Sequence, residues 1–435
     1  MSQPRQLSLG AFLIRNGHHV AGWRYPDNVL DDDPFAVYKE AAELAEAANF
    51  DAVFFADALT AAAGPAGLEP LTLLSALAAV TKRIGLIGTA TTTYNEPYHI
   101  ARKFASLDQI SRGRSGWNLV TSDNASESAN FGLPQHVSHA ERYARAREFY
   151  DVVTGLWDSW EEGAFLNDKE KGIWFDRSKL HALDHHGKHF NVAGPLNVAR
   201  SPQGRPVIVQ AGGSQAGREL AAETAEVVFT AHPTLSSAQD FYRDLKERLA
   251  KYGRQPDSLK IMPGIFSIIG KTQAEAEAKF NKLQELVDPE SGLALLGRMI
   301  GNFDLSAYPV DGPLPELPLT DNGQQSRQKL LTELAQGENL TIRQLYLRIA
   351  GARGHLTVIG TAATVADKIQ EWFEQGGADG FNVMAPWLPG GLRDFTELVV
   401  PELQRRGIFR TQYQGSTLRE HLGLQKPVNR YSKTA

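Results

Sequence analysis

The chain contains no cysteine in its 435 residues. Disulfides, thiolate metal sites and cysteine nucleophiles are therefore excluded from its chemistry. It also lacks a strong charge bias. A formal net charge of −5 gives no electrostatic ground for a nucleic-acid partner. No apolar run approaches the roughly 20 residues of a membrane span, and Met1 to Gly10 carries no apolar signal-peptide segment. The expectation is a soluble, cytoplasmic protein with no membrane contact. Internal repeats are absent as well. What the chain does have is 42% hydrophobic residues, ample for a full core. It also exceeds the length, about 250 residues, of a simple α/β barrel.

Apolar strand-like runs alternate with segments of helical periodicity along the chain. Strands are expected at Leu7–Ile14, Asp51–Ala56, Ile84–Gly88, Ser115–Val120, Pro206–Ala211, Val227–Ala231, Leu259–Ile269 and Gly380–Ala385. Between them, helices are expected at Phe35–Ala48, Glu69–Val80, Pro97–Ile110, His139–Trp160, after Gly212-Gly-Ser214, and at Ser236–Tyr252, Gln273–Val287 and Ala363–Gln375. Such alternation with short turns is the signature of parallel βαβ units. The segments Asn124–Pro206 and Asp288–Gly354 break the pattern, the latter with the proline-rich run Tyr308–Pro318. Long insertions inside a compact domain serve as lids, binding loops, surface decoration or subunit contacts. Residues 288–354 are expected to form a lid. The tail, Tyr413–Ala435, reads as an extended arm reaching a neighbouring subunit.

In parallel barrels the chemistry gathers at the C-terminal strand ends. That rule singles out Asp57, Thr89–Tyr94, Asn118, Gly212–Ser214 and His232. A carboxylate directly after an apolar strand needs hydrogen bonds or solvent, so Asp57 is either functional or a turn cap. In Gly212-Gly-Ser-Gln-Ala-Gly-Arg218 a strand leads through glycines and serine into a helix, presenting free N–H groups where a phosphate binds well. A plain helix cap is the competing reading. His139 and Tyr143 stand four apart at a helix start and face the same way. His18, His19, Trp23, Phe54, Phe55 and His232 either line a substrate pocket or belong to core and surface. The cluster His181, His185, His186 and His189 invites a metal reading, but Gly187 interrupts any helix that would align it, and no carboxylate has metalloprotease spacing. No metal is expected.

Several runs resemble the luciferase-like flavin monooxygenases, in the subgroup of nitrilotriacetate monooxygenase component A and dibenzothiophene-sulfone monooxygenase. They are Trp23-Arg-Tyr-Pro-Asp27, Phe54-Phe-Ala-Asp57, Arg114-Ser-Gly-Trp-Asn-Leu-Val-Thr-Ser122, Glu141-Arg-Tyr143, Leu156-Trp-Asp-Ser-Trp160, His185-His-Gly-Lys-His-Phe190, Gly194-Pro-Leu196, Gln210-Ala-Gly-Gly-Ser-Gln-Ala-Gly217 and Gly312-Pro-Leu-Pro315. They follow one another in order from about residue 7 to about residue 424. The resemblance implies one (β/α)₈ TIM-barrel domain with insertions, spanning residues 1–435. It implies reduced FMN, delivered by a separate NAD(P)H-dependent flavin reductase, with dioxygen as co-substrate. The oxidant would be a flavin C4a-(hydro)peroxide, and the substrate a small organic molecule oxidised with C–N or C–S cleavage. Carried over by motif, Asp57, Thr93 and Tyr94 contact the flavin, and His139, Tyr143 and Ser214 bind its phosphate. His19, Trp23, Phe55 and His232 line the substrate pocket. No protein side chain is required as a nucleophile, because the cofactor carries the chemistry. A homodimer or homotetramer is expected.

Three other readings fit a barrel of this size. A glycosidase needs two carboxylates at strand ends, where Asp57 stands alone. A metal-dependent hydrolase needs its histidines there, whereas the cluster falls in a loop. A flavin-binding barrel without catalysis would keep the phosphate site and lose a usable substrate cavity.

Overall fold

The computed structural model describes residues 5–28, 33–61, 67–122, 124–318 and 325–432. Eight strands pair in parallel, each with the next: β1 (Ser8–Phe12), β2 (Ala52–Phe55), β3 (Gly85–Thr91), β4 (Ser115–Val120), β5 (Val207–Gln210), β6 (Val227–Thr230), β7 (Lys260–Ile269) and β8 (Gly380–Met384). The register Ser8↔Gly380 between β1 and β8 closes the sheet into a barrel. All eight are the runs expected from the apolar pattern, with ends shifted by up to three residues.

The helices return the chain outside the barrel: α1 (Pro34–Ala47), α2 (Pro70–Val80), α3 (Pro97–Ile110), α4 (His139–Trp157), α5 (Gln215–Thr224), α6 (Leu235–Arg248) and α7 (Gln273–Glu285). Their starts are chemically marked. Proline opens α1, α2 and α3, where its missing N–H is not needed. The side chains of Asp33, Glu69, Ser138, Ser214, Thr234 and Thr272 accept N–H bonds from the first turns. Every such cap follows a strand, so helix N-termini and polar caps collect at one rim of the barrel.

Strand parity sorts the core into layers. Phe12, Phe54, Val209, Phe229, Met262, Phe266 and Met384 fill the lumen. Leu9, Val53, Phe55, Phe381 and Val383 point outward against helices, as do Trp117, Leu119 and Ile208 beneath α3 and α4.

Three features depart from the simple alternation. A ninth strand, Leu356–Gly360, extends the edge of the ten-residue β7 beyond its pairing with β6. The first insertion holds two antiparallel hairpins, Phe165–Asp168 with Ile173–Phe175 and His185–His186 with Asn191–Val192. The second insertion carries α8 (Pro289–Met299), α9 (Gln325–Gly337) and α10 (Ile342–Ile349), packed on their own apolar cluster, which also takes in Val20 and Ala21 after β1.

The tail is not an arm reaching outward. Tyr413 donates to the Phe50 carbonyl at 2.7 Å, and Asn429 donates to the Asp158 and Trp160 carbonyls at 2.9 Å. Leu418, Leu422 and Leu424 plug the lumen's lower end beside Ala52, Ile87 and Val207. Gly85 leaves the room: a Cβ there would lie 2.4 Å from the Leu418 side chain. Apolar burial outweighs extension for a segment carrying three leucines at that spacing. Residues 433–435 lie outside the described residues.

Arg419, 1% exposed, pairs with Glu226 through both guanidinium NH2 groups and also donates to the carbonyls of Arg205 and Gln425. Although burial opposes ionisation of Glu226, Arg419 and then Arg205 hold its carboxyl below the usual value of 4.5. The folded pKa lies below the unfolded one, so this contribution is complete at neutral pH and is lost as pH falls through the folded value. Arg419→Ala leaves a buried carboxylate unpaired and is expected to cost about 3–5 kcal/mol. Urea unfolding at pH 7 measures it, and a loss below about 1 kcal/mol would show the pair to be dispensable.

Candidate functional site at the C-terminal rim

After β5 the chain turns through Gly212 and Gly213 into α5. Ser214 caps that helix, its Oγ accepting from the Gly217 N–H at 3.1 Å. The N–H groups ahead of Gly217 have no carbonyl one turn back. Tyr143, from the first turn of α4, brings its hydroxyl 3.4 Å from Ser214 Oγ. The His139 ring lies 4.7 Å from the Tyr143 ring. Glycine is needed where these elements meet: a Cβ on Gly217 would stand 3.0 Å from Gly212 Cα and 3.1 Å from the Tyr143 hydroxyl. Partial burial, with Arg142 nearby, lowers the His139 pKa below its ordinary value.

Arg218 does not join this cluster. It donates to the Gly213 carbonyl and to Asp244, both at 3.0 Å, and is committed to α6. What remains is a set of hydroxyls, backbone N–H groups and an imidazole at a helix N-terminus. Among the described residues no carboxylate bonds to Ser214 or Tyr143. This donor set fits a phosphate.

Asp57 follows β2 at the mouth and accepts from the Ala58 N–H at 2.9 Å. Desolvation raises its pKa, and the charges of Glu69 and Glu127 add to the rise. The loop after β3 is tied by its own hydroxyls. Thr93 donates to the Thr121 carbonyl at 2.7 Å, so its side chain anchors the loop. Tyr94 bonds through its hydroxyl to His136 Nδ1 at 2.7 Å and stacks on Phe131 with ring centres 4.5 Å apart.

Of the expected pocket residues, three follow strand ends and one, Phe55, lies within a strand. His19 is buried, its Nδ1 accepting from the Ala21 N–H at 3.2 Å. Burial pulls its pKa down to about 4. His232 bonds to Thr230 at 2.9 Å and is likewise lowered to about 4 by burial and Arg218. Trp23 stands half-exposed on the rim. Phe55 is a correction: it packs edge-on against Tyr38 of α1 at 5.3 Å, outside the barrel. Its neighbour Phe54 faces the lumen, 4.9 Å from Phe12 and 5.5 Å from Phe229. Both residues are apolar, and only strand parity decides between them.

The loop histidines do not converge. His181 pairs with Glu161, His185 with Glu148, His186 with Asp184 and His189 with Glu141. Among the described residues no group of three or more His, Asp or Glu is placed to hold a metal ion.

With this rim in view, comparison with known proteins decides the family. The family model described as luciferase-like monooxygenase matches residues 12–380. The chain belongs to the luciferase-like monooxygenase family. It is 53% identical to N-acetyl-S-(2-succino)cysteine monooxygenase of Bacillus subtilis, over 99% of this chain and all of that one. It is 50% identical to nitrilotriacetate monooxygenase component A of Aminobacter aminovorans, with both chains fully covered. Among solved structures it resembles a riboflavin lyase crystallised with modified FMN and riboflavin, at 34% identity and TM-score 0.86, covering 98% of this chain and 97% of the other. The protein is therefore an enzyme, a luciferase-like monooxygenase on a closed eight-stranded barrel.

Phe55→Ala removes packing between this monooxygenase's barrel and α1 and is expected to cost about 3–5 kcal/mol while leaving flavin affinity within about twofold. Thermal unfolding beside flavin titration checks this; a large affinity loss without destabilisation would return Phe55 to the pocket.

Proposed function

We propose that the chain is the oxygenase component of a two-component system. It binds reduced FMN supplied by a separate NAD(P)H-dependent flavin reductase and, with dioxygen, oxidises a small organic molecule. The observation that carries this is the rim cluster of Ser214, Tyr143, His139 and the α5 N-terminus, whose hydroxyls bond to no carboxylate among the described residues. It is supported by a structural relative crystallised with modified FMN and by another relative named component A. Bound reduced flavin would supply the electrons that activate dioxygen.

The chain's own residues do the rest. Ser214, Tyr143 and the first N–H groups of α5 orient the phosphate, with His139 at its flank. Asp57, the Thr93 backbone and Tyr94 border the ring. His19, Trp23 and His232, together with Phe54 in place of Phe55, border the substrate. His19 and His232 stay neutral at pH 7 and bring no charge into the site; with its Nδ1 accepting, His19 keeps an Nε2 N–H to donate.

The substrate class we propose is a small carboxylate-bearing thioether or amine, cleaved at C–S or C–N. Support comes from the two relatives near half identity, named for a succinylated cysteine and for nitrilotriacetate. At the rim, Arg353 donates to the His18 carbonyl at 3.2 Å and Arg24 to the Leu286 carbonyl at 2.6 Å, which places two cations beside the insertion. A panel of carboxylated thioethers and amines, run with a flavin reductase, tests the class. Turnover confined to uncharged sulfides or alkanes would refute it.

We assign residues 288–354 of this single barrel domain as a lid, of which 319–324 lie outside the described residues, because the segment docks on the loop after β1 through the Val20 N–H to Ala350 carbonyl bond of 2.8 Å. Shortening the segment should release more hydrogen peroxide per NAD(P)H while FMN affinity holds; a shortened, folded enzyme that stays coupled would end the lid assignment.

Ser214→Asp sets a carboxylate against the phosphate, and FMN affinity is expected to fall at least tenfold, about 1.4 kcal/mol. Equilibrium titration of the folded variant decides it, and unchanged affinity would remove the phosphate from Ser214.

A further inference from the structure

The segment after β4 forms a short 3₁₀ turn, Ala125–Phe131, capped by Asn124, whose side chain accepts from the Ser126 N–H. It lies across the mouth beside the loop that follows β2. The contacts between the two are specific. Glu127 Oε1 accepts from the Leu59 N–H at 3.2 Å, and Asn130 donates to the Leu59 carbonyl at 2.8 Å. Ser126 donates to Thr60 Oγ1 at 3.3 Å. Both main-chain groups of Leu59 are thus held by one neighbouring segment, much as a strand partner would hold them. Leu59 stands two residues beyond Asp57.

Glu127 is an unusual residue for this task. It is only 5% exposed, and its second oxygen is buried with no hydrogen-bond partner among the described residues. An unsatisfied buried carboxylate oxygen is costly and calls for a reason. Its charge also reaches the rim, contributing to the raised pKa of both Asp57 and Tyr94. The same turn ends at Phe131, which stacks on Tyr94 at an interplanar angle of 10°. Loops from β2, β3 and β4 therefore meet on this turn.

We propose that Glu127 is a positioning residue for the cofactor site: with Asn130 it clamps the Leu59 backbone and so fixes Asp57 at the barrel mouth. The inference rests on the FMN reading above. It assigns Glu127 no contact with the reacting atoms. Its effect passes through the loop, so an uncharged acceptor of the same shape should serve. The clamp is local, because Asn130 is exposed and its removal leaves no buried group unpaired on its own side.

The test is binding of oxidised FMN, read by fluorescence quenching, to the full-length wild type and to Glu127→Ala, Glu127→Gln, Asn130→Ala and Ser214→Asp. Glu127→Ala should weaken FMN at least about tenfold, Asn130→Ala about threefold, and Glu127→Gln should stay within about twofold of wild type. A merely structural loss would not be rescued by glutamine. Wild-type affinity in both alanine variants overturns the clamp, and so does a glutamine variant as weak as the alanine one. Should Glu127→Ala fail to fold, Asn130→Ala and Glu127→Gln still decide the matter: wild-type affinity in the first, or a large loss in the second, overturns it. A wild type that binds neither oxidised FMN nor, under anaerobic conditions, dithionite-reduced FMN refutes the cofactor reading itself. Loss in Ser214→Asp beside intact Glu127 and Asn130 variants refutes the clamp alone.

Discussion

Closure of the barrel is the constraint from which the rest follows. Once β1 pairs with β8 and β6 with β7, every strand must present alternate residues to a lumen of fixed size. Phe12, Phe54, Phe229, Phe266 and two methionines fill it, so the barrel is a packed core and not a pore. Closure also brings all strand ends to a common rim. Residues as far apart in sequence as Tyr143 and Ser214 meet there because α4 and α5 start on neighbouring strands.

The two ends of the barrel do different work. At the floor, leucines of the tail seal the lumen, and the Arg419–Glu226 and Arg410–Asp51 pairs hold that tail in place. These are buried charges with close partners, the arrangement that tolerates little change. At the rim the polar groups are caps, hydroxyls and backbone N–H groups with bonding capacity to spare. Stability is concentrated where no ligand needs to enter, and the adaptable groups lie where one does.

The eight barrel strands were legible because each is an apolar run bounded by polar residues, glycine or proline, and the helices because prolines and caps mark their starts. Leu356–Gly360 was not, since it is one short apolar run directly after an insertion, and it pairs along the far end of the long β7. The tail misled because polar residues surround Leu418, Leu422 and Leu424, and nothing in that pattern tells a floor plug from an arm. At the site, Ser214 could be read from its strand–glycine–helix context. The pairing with Tyr143 came only from the family resemblance, as contacts across 71 positions leave no local trace. Phe54 and Phe55 cannot be told apart by composition, because both are apolar and the register alone separates lumen from helix layer. Glu127 carries no motif and no periodicity. Its burial and its hold on Leu59 arise only once β2 and β4 are folded side by side.

If a flavin phosphate rests on the N-terminus of α5, this rim is the site of the monooxygenase chemistry. The most direct measurement is diffraction from crystals of the protein grown with FMN. The phosphate is expected within hydrogen-bond distance of Ser214 Oγ and the Tyr143 hydroxyl, with the ring system beside Asp57. A phosphate seated elsewhere, or a rim that stays free of FMN at saturating concentration, would contradict it.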